Sequence, residues 1–136
     1  MTGSLVVDSS VAVKWYLPEP GSDRAAELLK SGLRLLAPDL LIPEVGNVLW
    51  KRRRELPAPE IEAIVGALTS APPALLYPSS VLLQGALAIA LARDRSVYDS
   101  LYLALAVSEG CPLITADERL GNALHGTELG QYLQML

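Results

Sequence analysis

The chain has 136 residues, half of them apolar, with a formal net charge of −4, one cysteine and one histidine. That length suits a single domain over residues 1–136, and the apolar share excludes a disordered tail. Lone Cys111 and His125 exclude an intramolecular disulfide, a multi-thiolate zinc site and a multi-histidine metal centre, and the acidic balance argues against non-specific nucleic-acid binding unless acids gather around a cation.

The apolar run Leu5-Val6-Val7 predicts a strand over 4–8 that ends abruptly in Asp8. Helices follow over 9–17, where Trp15 and Tyr16 read as packing residues, and over 22–31. A second strand over 33–37 precedes a helix over 39–54. That helix carries Glu44 on the stripe of Leu41 and Val48 and ends in the run Lys51-Arg52-Arg53-Arg54. A helix over 58–70 is marked by prolines near its start and just past its end. A strand over 74–77 leads to a helix over 80–94. Its most apolar part, 81–92, falls short of the about 20 residues a bilayer requires. The small and apolar stretch 85–92 reads as a buried or dimer-forming helix. Ser96 is the expected N-cap of a helix over 97–109, with Asp99 in its first turn. Cys111 reads as a core thiol beside a strand over 112–115, and a helix over 117–124 begins at Asp117. No basic leader precedes a long apolar segment, and a reducing cytoplasm without membrane attachment is the expected setting.

Short apolar strands separated by helices predict a parallel sheet covered on both faces, with ligands at the carboxyl ends of its strands. Asp8 and Asp117 both stand at such ends. Each acid also has a plain structural reading: Asp8 and Asp117 as N-caps, Asp99 as the partner of Ser96 in a capping box. Glu44 is harder to explain this way, because an acid on an apolar stripe needs a partner and the sequence offers no evident His or Lys. If the four converge, their mutual repulsion is relieved by a hard divalent cation such as Mg²⁺ or Mn²⁺. The basic run 51–54 reads either as a solvated helix end or as phosphate contacts.

The segments "LVVDSSVAVKWYLPE", "PDLLIPEVGNVLWKR" and "SVYDSLYLALAVSEGCPLITADERL" resemble the successive motifs of PIN domains, most of all the VapC-type toxins of toxin–antitoxin pairs. The resemblance implies an α/β fold, a three-layer α/β/α sandwich around a mostly parallel sheet, and a Mg²⁺- or Mn²⁺-dependent ribonuclease site. By motif it assigns Asp8, Glu44, Asp99 and Asp117 to catalysis and metal ligation, and Ser9 and Thr115 to assisting hydroxyls. It further implies a small cognate antitoxin, a homodimer and an RNA substrate. The tail "HGTELGQYLQML" departs from the apolar final strand of the family. Two other classes remain open: a PIN-like module that binds metal without turnover, and a phosphoacceptor domain. The second lacks the Asp-x-Asp pattern and the late-strand lysine that such domains use.

Overall fold

Both faces of β1 (Ser4–Val7) are covered, which is why Leu5, Val6 and Val7 form an unbroken buried run. In the computed structural model, which describes residues 3–136, β1 is the middle strand of a five-stranded sheet. The others are β2 (Arg34–Pro38), β3 (Leu75–Tyr77), β4 (Leu113–Thr115) and β5 (Leu133–Met135). Their order is β3-β2-β1-β4-β5, and every neighbouring pair is parallel. Leu5 pairs with Leu35 on one side of β1, and Val7 with Ile114 on the other.

The order of the strands fixes the layers. From β1 the chain steps outward to β2 and β3, then returns across the sheet to β4 and on to β5. Right-handed crossovers running in opposite directions place their helices on opposite faces. One face therefore receives α1 (Ser9–Ala12), α2 (Ser22–Leu29), α3 (Leu41–Lys51) and α4 (Ala58–Ser70). The other receives α5 (Ser79–Arg93), α6 (Val97–Glu109) and α7 (Glu118–Leu124). The result is a three-layer α/β/α sandwich with an all-parallel sheet. Burial peaks in α6, where Ser100 to Ala106 are buried in succession and the helix lies against β1, β2 and β4. Gly110, at φ 62°, ends α6 in the left-handed conformation that lets the chain turn into β4.

Three expectations change. The helix over 9–17 is a four-residue α1 continued by a 3₁₀ turn at Val13–Trp15. Of the two readings of 85–92, a buried or a dimer-forming helix, the buried one fails: α5 buries only Leu82 and Ala86, and Leu83, Leu87 and Leu91 are exposed. The tail that departs from an apolar strand pattern nevertheless supplies β5, after a 3₁₀ turn at Glu128–Tyr132. As an edge strand with two of its three residues exposed, it needs no continuous apolar run. No helix among the described residues is long and apolar enough to cross a membrane.

Candidate active site

The connections leave β1 and β4 in opposite directions, so the carboxyl ends of these two strands form the topological switch point of the sheet. Asp8 follows β1 and Asp117 follows β4 by two residues. The Asp8 amide bonds the Ile114 carbonyl at 3.1 Å, which locks the two strand ends together. Asp8 occupies the N-cap position of α1, yet its side chain makes no capping bond. Its Oδ2 instead accepts from Thr115 Oγ1 at 2.7 Å and Ser10 Oγ at 2.9 Å. Ser9 Oγ lies at a longer 3.4 Å from Oδ1.

The hydroxyls continue the tie across the switch point. Ser10 Oγ also accepts from the Ala116 amide, and Thr115 Oγ1 from the Asp117 amide, each at 3.0 Å. One oxygen of Asp8 is thereby fixed to the frame that carries Asp117. Asp117 caps α7 through the Arg119 amide at 3.0 Å, so its structural role as a cap is realised. Asp99 stands in the first turn of α6, where Ser96 caps its amide at 3.1 Å.

Glu44 has the partner that an inward-facing acid requires. Tyr102, only 2% exposed on α6, donates its hydroxyl to Glu44 Oε1 at 2.5 Å. The sequence held one signal for this contact: a tyrosine within an otherwise aliphatic helix, whose hydroxyl must find an acceptor when buried. Ser10 carried no comparable signal.

Asp8, Glu44, Asp99 and Asp117 line one cleft of about 620 Å³, together with Ser9, Ser10, Asn47, Lys51, Tyr98 and Arg119. Burial raises the pKa of Asp8, against the hydrogen bonds from Thr115 and Ser10 and with the charge of Asp99 adding to the rise. Burial also raises Glu44, offset by the Tyr102 bond and reinforced by the charge of Asp8. Asp99 is raised by burial, lowered in part by Arg95 and raised again by Asp117. Asp8, Glu44 and Asp99 therefore each feel the charge of a neighbouring carboxylate. Among the described residues, however, no three acid, histidine or cysteine side chains are gathered closely enough to enclose an ion as they stand. The donor set is all oxygen, partly desolvated and mutually repelling, which suits a hard divalent cation.

The basic run divides. Lys51 lines the cleft. Arg52 turns away to pair with Glu19 at 3.3 Å and Glu55 at 3.1 Å, and Arg53 stacks on Trp50 at 4.2 Å. Arg54 is exposed and outside the cleft. A larger groove of about 810 Å³ lies beside β5 and contains none of the four acids.

The model of the PIN domain family matches residues 5–123. The chain belongs to the PIN domain family. It is of the VapC type, being 36% identical to Ribonuclease VapC3 of Pyrobaculum aerophilum over 85% of this chain and 91% of that protein. Among solved structures it is similar to PAE2754 from Pyrobaculum aerophilum, with a TM-score of 0.65 and 25% identity over 93% of this chain and 90% of the other. VapC20 of Mycobacterium tuberculosis, described as a sarcin-ricin loop cleaving toxin, shares the fold at a TM-score of 0.68 and 17% identity, over 88% of this PIN domain and 95% of its own chain.

Proposed function

We propose that this PIN domain is a metal-dependent endoribonuclease, the toxin of a VapC-type toxin–antitoxin pair. The observation that carries the reading is the meeting of four carboxylates from four separate elements in one cleft at the switch point. The 36% identity to a protein named as a ribonuclease supports it. Asp8, Asp99, Glu44 and Asp117 would hold Mg²⁺ or Mn²⁺, which when bound lowers the pKa of a coordinated water and offsets phosphate charge.

The chain's own groups divide the remaining work. Thr115 and Ser10 hold Asp8 by Oδ2, with Ser9 at a longer distance on Oδ1, and Tyr102 holds Glu44 by Oε1, so the shorter bonds to each acid fall on one oxygen. Glu44, whose pKa is raised by burial, can take the proton of the attacking water as it adds to phosphorus, while the P–O bond to the leaving nucleotide breaks and the departing oxygen takes a proton from solvent. Lys51 and Arg119 on the cleft wall supply phosphate contacts. A small antitoxin that covers this cleft would silence it, and a homodimer through the apolar outer face of α5 fits the exposure of Val81, Leu83, Leu87 and Leu91.

A second reading draws on one observation. Acids that share one cleft also suit a PIN-like module that binds metal without turnover and acts through a protein partner. Labelled RNA incubated with Mg²⁺, Mn²⁺ or EDTA separates the two. Cleavage that requires metal and is lost in Asp8→Asn and in Asp99→Asn supports the nuclease. Cleavage that survives both substitutions removes the site assignment, and a folded protein that cuts no RNA leaves the binding module.

A further inference from the structure

The cleft that gathers the four acids is poorly suited to hold RNA by charge. Two cations, Lys51 and Arg119, stand among four anions on its wall. Neutralising phosphates releases few counterions in such a place, so ionic contacts there give limited affinity. A strand held in this cleft needs contacts that do not depend on charge.

Tyr98 provides one. Its neighbours on α6 are drawn inward: Val97 packs against the core and Ser100 to Ala106 are buried. Tyr98 stays outside that core and is 62% exposed, and its ring lines the cleft beside Asp99. One turn further on, Tyr102 is buried and committed to Glu44. The two tyrosines sit four residues apart on one helix, the inner one bracing the acids and the outer one left on the rim. An exposed ring adds little to the fold, but it offers a flat apolar face to a base. From α3, Asn47 and Lys51 line the same cleft, an amide that can bond a base edge and an ammonium that can bond a phosphate.

We propose that Tyr98 is the stacking platform for a base next to the cleaved phosphodiester. The inference rests on the ribonuclease reading above and adds a base-binding residue to that site. In a duplex each base face is already covered by its neighbours, so a ring at the rim has nothing to stack on. An unstacked base in a loop or single strand presents a free face.

The test uses the full chain carrying Asp8→Asn, so that RNA is bound and not consumed. A fluorescein-labelled single-stranded oligoribonucleotide of mixed sequence is titrated by anisotropy against this protein and against versions that also carry Tyr98→Phe or Tyr98→Ala. Tyr98→Phe keeps the ring and binds as its parent does. Tyr98→Ala binds about 5- to 100-fold more weakly, the loss of one base stack. An abasic nucleotide, scanned along the strand, produces a similar loss at one position in the parent and no further loss with Tyr98→Ala. A matched RNA duplex does not distinguish the two proteins. Equal single-strand affinity for Tyr98→Ala and its parent, with circular dichroism confirming that both are folded, overturns the proposal. If Asp8-intact protein cleaves RNA while Tyr98→Ala leaves KM unchanged, only the stacking role fails. If Asp8-intact protein neither binds nor cleaves RNA, the ribonuclease reading falls and the stacking role falls with it.

Discussion

Half-buried carboxylates with raised pKa values make a specific statement about stability. Asp8, Glu44 and Asp99 each hold a proton more tightly in the folded chain than in the unfolded one. Between the ordinary carboxylate value near about 4 and their raised values, the folded state binds more protons, so stability falls as pH rises through that window. Thermal melts in EDTA will show Asp8→Asn gaining on the wild type as pH increases towards neutrality, even though cleavage is lost. A gap that stays constant with pH would mean that Asp8 carries no raised pKa. The Tyr102 hydroxyl works in the opposite sense on Glu44. Tyr102→Phe removes a hydrogen bond to a charged group, about 1.5–3 kcal/mol in typical cases, and is expected to weaken Mn²⁺ binding by about 10-fold or more, measured by calorimetry. At this scale the sequence disclosed the acids through their positions at strand ends and on an apolar stripe. It did not disclose Tyr102 as the partner of Glu44, because a hydroxyl bond spanning 58 residues leaves no local pattern; Ser10 lies beside Asp8 in sequence, but its tie to the Ala116 amide spans 106 residues and is equally invisible.

Helices and strands carry their own predictions. The end of α3 separates a cleft residue from a structural one within two positions. Lys51→Ala is expected to lower the slope of log affinity against log salt for single-stranded RNA by about 0.7, the share of one phosphate contact. Arg52→Ala should leave that slope unchanged and cost about 0.2–1 kcal/mol through its ion pairs with Glu19 and Glu55, seen in urea unfolding. A common effect of both on the slope would place the whole run on the RNA. The segment before β5 depends on Gly130, where an added Cβ would lie 2.5 Å from the Leu124 carbonyl oxygen. Gly130→Ala is expected to cost about 1–3 kcal/mol by forcing the backbone apart. An unchanged urea midpoint would show that the 3₁₀ turn shifts freely. Four of the five strands were legible as short apolar runs, and β5 was not, since Leu133-Gln134-Met135 carries neither a run nor an alternation that separates it from a loop. The short α1 was overread for the reverse reason: Val11, Ala12, Val13 and Leu17 are all buried, which imitates one continuous helix although the turn tightens after Ala12.

For the molecule as a whole, the cation and the fold should be linked. A cation held by the four acids would stabilise the folded state by about 2.7 kcal/mol at a concentration 100-fold above its Kd. Mn²⁺ should therefore raise the melting temperature of the wild type and leave a protein with both Asp8→Asn and Asp99→Asn unmoved, by calorimetric melting. Equal shifts in the two proteins would place the ion elsewhere. The layered architecture followed from alternating strand and helix patterns, while the strand order, and with it the location of the cleft, depended on which distant runs pair. That order has a consequence for synthesis. β1 is made first, but one of its two neighbours, β4, begins at residue 113. Thr115 reaches Asp8, and brings Asp117 into the cleft with it, only once that strand has been translated and docked beside β1. A ribosome partway through this chain holds Asp8, Glu44 and Asp99 on a sheet still missing the strand that aligns them. The cleft is therefore assembled only after β4, which follows β1 by more than 100 residues, has been made and docked, an interval in which a partner that covers the cleft could already be in place.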